Sequence, residues 1–225
     1  MATLEAYLEM GSRRVFAGAL DWPGWCRSGR DENAALEALV AYGRRYKDTL
    51  GRAARGFAPP KDPSALDVVE RLRGNATTDF GAPGIPPSAD DRALDGRELD
   101  RYIRVLEASW AAVDEAAKAA KGKTLRKGPR GGGRELEAIE SHVTEAGVAY
   151  LAGLGDRYRA PQGASARAAR EGLRATMLET LRLRARGEPP PRPGRSQRWS
   201  PRYFVRREAW HVLDHVWEIE DRAID

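Results

Sequence analysis

The chain has 225 residues and a formal net charge of +5, with a pI of about 9.5, and it is long enough for one large domain or two small ones. Hydrophobic residues make up 41% and charged residues 32%, which excludes a disordered chain and indicates a soluble globular protein. No run of about 18 apolar residues is present, and the acidic N-terminus lacks the basic start of a secretory signal. The single cysteine, Cys26, excludes an internal disulfide framework. These features together predict a cytoplasmic protein.

The basic residues are spread over the whole chain rather than gathered in one region. Arginine dominates them and stands next to alanine and glycine throughout. Such a spread is more typical of a compositional bias than of a nucleic-acid-binding surface. Nucleic acid is therefore not the expected partner, no membrane partner is expected, and a small-molecule substrate is compatible with this composition.

The region up to about residue 85 predicts a small α+β domain with the element order β-β-β-α-β. Its first strands alternate in hydrophobicity on either side of the Gly11-Ser12 turn, and Asp31 is placed to cap the helix that follows. The strands and the helix are predicted, in chain order, at residues 3–10, 14–20, 26–28, 32–46 and 65–74.

The remainder of the chain predicts helices only. Residues 75–96 are rich in proline, glycine, aspartate and threonine and predict a linker or connecting loop, whose last part, 86–96, separates the two predicted domains. Four amphipathic segments of similar length then predict an all-α four-helix bundle over residues 97–225. The helices are expected at residues 97–120, 134–155, 166–186 and 202–222.

The chain contains three histidines, and two of them stand four residues apart. His211 and His215 fall within the fourth predicted helix, where residues i and i+4 project from the same face. HExxH metalloproteases use this geometry, but their intervening glutamate is absent here. His142, in the second predicted helix, can supply a third ligand. Three neutral imidazoles leave one coordination position open, as in catalytic rather than structural sites.

A helical wheel places all three histidines at the edge of the apolar stripes and not at their centres. They therefore either line a metal-binding cleft at the rim of the bundle or are ordinary solvated residues of a polar face. Nearby carboxylates fit both alternatives, because they can orient imidazole N–H groups or form salt bridges in solvent. The candidates for this role are Glu145, Asp214 and Glu218.

Two segments carry a resemblance to a known family. RYFVRREAWHVLDHVWEIEDR (202–222), taken with LRKGPRGGGRELEAIESHVTEAGVAYLAGLG (125–155), resembles the DinB/YfiT-like four-helix bundles. The resemblance covers about residues 90–225. It implies a divalent ion such as zinc or nickel on His142, His211 and His215, which match the family's one histidine on helix two and HxxxH pair on helix four. Relatives include thiol S-transferases and isomerases that use low-molecular-weight thiols such as mycothiol or bacillithiol, and many are dimers. No thiol-binding residue is matched.

The N-terminal part is similar to a different family. FAGALDWPGWCRSGRDENAALEAL (16–39) resembles HicB-like antitoxin domains, in which a hairpin and a PG-containing turn precede a helix. This resemblance covers about residues 1–75. No helix-turn-helix accompanies it, so a DNA-binding role is not implied. It supports an alternative function, a non-catalytic binding or regulatory module that contacts protein or nucleic acid.

Three other features were weighed as functional. Cys26 has no histidine partner in its own domain, which favours a small packed residue over a nucleophile. KGPRGGGR (127–134) is either an anion-binding turn or, as we favour, a basic linker. Trp199, Trp210 and Trp217 are expected to be core and interface residues.

Overall fold

The structure, a computed structural model, describes residues 3–127, 133–189, 191 and 199–224. A small mixed sheet comes first in the chain and helices follow it, as predicted for an α+β part that precedes a helical part. The strands are β1 (Leu4–Met10), β2 (Val15–Ala19), β3 (Cys26–Gly29), β4 (Leu66–Arg73), β5 (Thr124–Leu125) and β6 (Ala223–Ile224). The helices are α1 (Glu32–Leu50), α2 (Ala76–Phe80), α3 (Gly96–Ala120), α4 (Leu136–Leu154), α5 (Ala166–Ala185) and α6 (Pro201–Arg222).

The N-terminal sheet has the strand order β3-β2-β1-β4. β1 and β2 form the predicted antiparallel hairpin, whereas β4 runs parallel to β1 after the crossover through α1. Asp31 caps α1 as expected, because its carboxylate accepts a hydrogen bond from the Ala34 N–H. The order β-β-β-α-β is therefore confirmed. β4 lies at the sheet edge, and Val69, expected near the strand centre, is 47% exposed.

The segment expected to be a linker has structure of its own. It contains α2, which is capped by Asn75, and a 3-10 turn at Ser88–Asp91. Its middle is attached to the sheet by Glu9, a fully buried residue of β1. The Glu9 carboxylate accepts hydrogen bonds from the N–H groups of Gly84 and Ile85 at 2.9 and 3.0 Å. The position of Glu9 near the end of β1 does not reveal this long-range role in the sequence.

The four long helices of the second part match the predicted segments to within about two residues. α6 packs against both α3 and α4, and α5 packs against α4. The two-residue strands β5 and β6 pair after the ends of α3 and α6 and were not predicted from the sequence. Within the part of the chain that the structure describes, no helix has the length and hydropathy needed to cross a bilayer.

The sheet and the helices share one hydrophobic cluster, which runs from Leu8 of β1 to Ile219 of α6. A buried ion pair joins them as well. Arg206 of α6 donates two hydrogen bonds to the Asp90 carboxylate, at 2.8 and 2.7 Å. It also donates to the carbonyl groups of Ala19 and Leu20 at the end of β2. The predicted N-terminal domain is thus fastened directly to the helix that carries two of the histidines.

Candidate metal centre

α6 is buried on nearly all of its faces. The α3 and α4 helices cover one side, and the N-terminal elements cover another through contacts such as the Phe16–Trp210 ring pair, with centroids 5.9 Å apart. His211 and His215 are consequently only 6% and 7% exposed. The alternative of solvated histidines is wrong for this pair. The helical wheel misjudged them because it assumes that one face of a helix meets solvent.

The structure brings the three predicted histidines together. The Nε2 atom of His211 lies 3.2 Å from Nε2 of His142 on α4 and 3.2 Å from Nε2 of His215. All three ligand atoms lie within 4.8 Å of one another. His142 is half-buried, so the cluster is reached from the α4 side.

These distances fit a shared cation. A tetrahedral ion with bonds of about 2.0–2.1 Å holds neighbouring nitrogen ligands about 3.3–3.4 Å apart. A proton on Nε2 of His211 can bridge to only one of its two neighbours, which leaves the other nitrogen pair facing each other without a hydrogen. A divalent ion accepts all three lone pairs at once. The residues present therefore fit the metal that the donor set implies.

One carboxylate orients a ring of the cluster. Glu218 lies 2.7 Å from Nδ1 of His215 and is itself held by Arg222 at 2.6 Å. The hydrogen bond to His215 is the main reason that the pKa of Glu218 lies below its usual value. When Nδ1 of His215 donates to this carboxylate, its Nε2 is directed at the cluster as a ligand atom, the arrangement found around histidine ligands generally.

The other two carboxylates proposed for this role have different partners. Asp214 pairs with Arg27 of β3 at 2.8 Å, and Glu145 accepts a hydrogen bond from the Ser141 hydroxyl. Glu218 alone of the three predicted candidates contacts a histidine among the described residues.

Burial keeps two members of the cluster, His211 and His142, in the protonation state that metal binding requires. Desolvation, followed by the charges of His215 and Arg207, lowers the pKa of His211 to about 2. The pKa of His142 is also lowered, first by burial and then by Arg134. Neutral imidazoles do not need to lose a proton before they bind an ion, so the site is prepared for a metal at neutral pH.

Aromatic rings and one arginine border the histidines. The Tyr150 and Trp210 rings lie 5.6 and 6.2 Å from the His211 ring. The Arg207 guanidinium lies against both of these rings. Sequence reasoning did not single out Arg207, although its position one helical turn before His211 was a signal that could have found it.

Glu208, three residues before His211 on α6, is a second residue that the sequence does not single out. Glu208 is 2% exposed, and its Oε1 accepts a hydrogen bond from Trp110 Nε1 at 2.8 Å. Its Oε2 has no partner among the described residues. The Glu208 side chain also borders a cavity of about 20 Å³ that residues of α3, α4 and α5 line. Burial without a second partner raises the pKa of this carboxyl from 4.5 to about 7.

The raised pKa of Glu208 predicts a pH-dependent cost to the fold. A carboxyl group whose pKa is higher in the folded than in the unfolded protein stabilises the fold while it is protonated. The contribution of Glu208 to the unfolding free energy is therefore fully present below about pH 4.5 and is lost as the pH rises through about 7. Glu208→Gln cannot ionise. We expect the unfolding free energy of Glu208→Gln relative to wild type to rise by about 2–3 kcal/mol between pH 5 and pH 8. Urea titrations of both proteins with a chelator at each pH measure it, and a constant difference would contradict the buried-acid interpretation.

The remaining sequence-level candidates have ordinary explanations where the structure describes them. Cys26 is 2% exposed, and burial raises the pKa of its thiol to about 12, so the thiol is protonated and inaccessible, as favoured. Trp210 and Trp217 are buried and Trp199 is partly buried. Most of KGPRGGGR, including Arg130, lies outside the described residues.

Comparisons of the chain with protein-family models, with curated proteins and with solved structures find no match.

Proposed function

We propose that this protein binds one divalent ion through His142, His211 and His215 and is a metal-dependent enzyme acting on a small molecule. The resemblance to DinB/YfiT-like proteins suggests zinc or nickel as the ion, a four-helix-bundle arrangement of α3 to α6, and transfer of a low-molecular-weight thiol as the reaction. One observation carries the proposal: Nε2 of His211 lies 3.2 Å from Nε2 of both His142 and His215, and the three ligand atoms lie within 4.8 Å of one another.

A bound divalent ion would supply Lewis acidity, which lowers the pKa of a water or thiol ligand. The chain itself contributes positioning and shielding. Glu218 holds the His215 ring through Nδ1. Tyr150 and Trp210 pack beside His211 and limit access of water to it.

Metal content tests the proposal directly. We expect protein purified without an affinity tag to carry about one divalent ion per chain by elemental analysis. The double variant His142→Ala, His211→Ala should carry none, because one imidazole alone is a weak site. Asp214→Asn is the matched control, since Asp214 lies between the two α6 histidines but pairs with Arg27, and it should keep the ion. Equal metal content in all three proteins, or no uptake of added zinc or nickel by the wild type, would refute the site.

A binding role for the N-terminal part is a second candidate, and one surface favours it. A groove of about 950 Å³ lies where the end of α1 meets α3. It is lined by five cations that form no ion pair with any described residue, Lys47, Arg52, Arg55, Arg101 and Arg104. Salt-dependent binding of generic RNA or DNA, lost in Arg101→Glu with Arg104→Glu, would favour this role. No binding at low salt would remove its nucleic-acid form.

A further inference from the structure

Four arginines of α6 are buried, and one of them differs from the rest. Arg202 pairs with Glu98, Arg206 with Asp90 and Arg222 with Glu218, and each also donates to backbone carbonyl groups. Arg207 is 8% exposed yet forms no ion pair with any described residue. Its Nη1 is buried without a hydrogen-bond partner.

The contacts that Arg207 does make are aromatic. Its guanidinium carbon lies 4.8 Å from the Trp210 ring centroid and 5.1 Å from that of Tyr150. Rings that stack on the guanidinium plane stabilise the cation but leave its N–H edge unsatisfied. That edge is the part of the group that binds planar oxyanions.

No carboxylate among the described residues forms an ion pair or a hydrogen bond with Arg207. Glu208, the next residue along α6, directs Oε1 to Trp110, and Glu9 is occupied by the loop after α2. The cavity of about 10 Å³ that borders Arg207 has room for one water at most, so a larger ligand reaches the guanidinium from the side of Tyr150, which is partly exposed. A water satisfies a hydrogen bond but does not compensate a buried charge, and an uncompensated charge is costly to a fold.

The position of Arg207 connects it to the metal centre. Arg207, His211 and His215 occupy positions i, i+4 and i+8 of α6, so they form one stripe of the helix, with about 5.4 Å between successive turns. The Tyr150 and Trp210 rings contact both Arg207 and His211. A ligand in contact with the histidine cluster therefore has this arginine one turn away and aromatic walls beside it.

We propose that Arg207 is the carboxylate-binding residue of the substrate site, and that the substrate is a small organic carboxylate whose other polar end occupies the metal centre. This inference rests on the function proposed above. The Arg207 guanidinium binds the carboxylate, and the Tyr150 and Trp210 rings pack against the apolar part of the substrate between its two polar ends. The bound anion gives Arg207 the charge partner that Arg202, Arg206 and Arg222 have within the protein.

A pair of matched probes tests the assignment without assaying turnover. Cobalt(II)-loaded protein is titrated with 3-mercaptopropionate and with its neutral analogue 3-mercaptopropionamide, and the thiolate-to-cobalt absorption reports binding at the metal. The ratio of the two affinities is compared between wild type and Arg207→Met, so that the difference in thiol acidity cancels. We expect the preference for the carboxylate to fall by about tenfold or more in the variant, as for loss of a charge-assisted contact.

Two further variants make the result specific. Arg45→Gln is the control, because Arg45 also lies against aromatic rings, those of Tyr42 and Trp217, but has Glu220 and Asp221 as partners; its affinity ratio should equal that of wild type. Arg207→Gln repeats the test if methionine disturbs packing, and unchanged binding of the neutral amide shows that each variant is folded.

The outcomes separate the two proposals. A lower ratio in both Arg207 variants and not in Arg45→Gln supports the carboxylate site. Equal ratios in all proteins, with both thiols bound, would overturn the role of Arg207 and leave the metal centre standing. Absence of cobalt uptake or of the absorption band in wild type would overturn both.

Discussion

Adding zinc or nickel is expected to stabilise the wild-type protein and to leave His211→Ala unaffected. An ion that binds only the folded state raises the unfolding free energy by about 4 kcal/mol when its free concentration is 1,000 times the dissociation constant. His211 is the shared member of the cluster, because its Nε2 lies 3.2 Å from both of the others. Its loss leaves His142 and His215 without the ligand between them.

Urea titrations with and without the ion measure this shift within each variant, so the cost of the cavity left by the substitution cancels. Asp214→Asn should keep the full shift. Glu218→Gln should show a smaller one, because the amide is a weaker acceptor for Nδ1 of His215, and loss of such a partner typically costs about 10–100-fold in metal affinity. An equal shift in wild type and His211→Ala would place the ion elsewhere.

The elements that sequence patterns predicted well are those determined locally. Asp31 before an apolar-periodic run marks the start of α1, and alternation marks the β1–β2 hairpin. β5 and β6 were missed because two-residue strands carry no periodic signal, and they exist through the meeting of the chain after α3 with the end of α6. Residues 75–96 have the turn residues of a connection, whereas the buried Glu9 that holds them is 69 or more positions away from its partners.

The candidate site was predictable in its ligands and not in its surroundings. The spacing of His211 and His215 indicates one helix face, and the family resemblance adds His142. Burial was misjudged because the N-terminal part covers α6, a tertiary contact that no wheel contains. For the same reason the sequence does not single out Glu208 and Arg207, whose importance depends on their being buried without full partners.

The ion pair between Arg206 and Asp90 is the polar contact on which the position of α6 depends most. Both side chains are almost completely buried, at 6% and 1% exposure. In Asp90→Asn the guanidinium loses its charge partner and stays buried, which for such pairs costs about 3–5 kcal/mol. The Ala19 and Leu20 carbonyl groups still accept from Arg206, but they carry no net charge to offset it.

A second bidentate pair in the same chain provides the comparison. Arg174 donates two hydrogen bonds to Asp114, at 2.6 and 2.9 Å, but the Asp114 side chain is 44% exposed. Asp114→Asn is therefore expected to cost about 1 kcal/mol or less in unfolding free energy, against the several expected for Asp90→Asn. Urea unfolding of the two variants decides between geometry and burial as the source of stability. Similar losses of unfolding free energy in the two variants would show that the shared apolar cluster, and not the Arg206–Asp90 pair, holds the N-terminal part on α6. The position of His211 and His215 would then not depend on this pair.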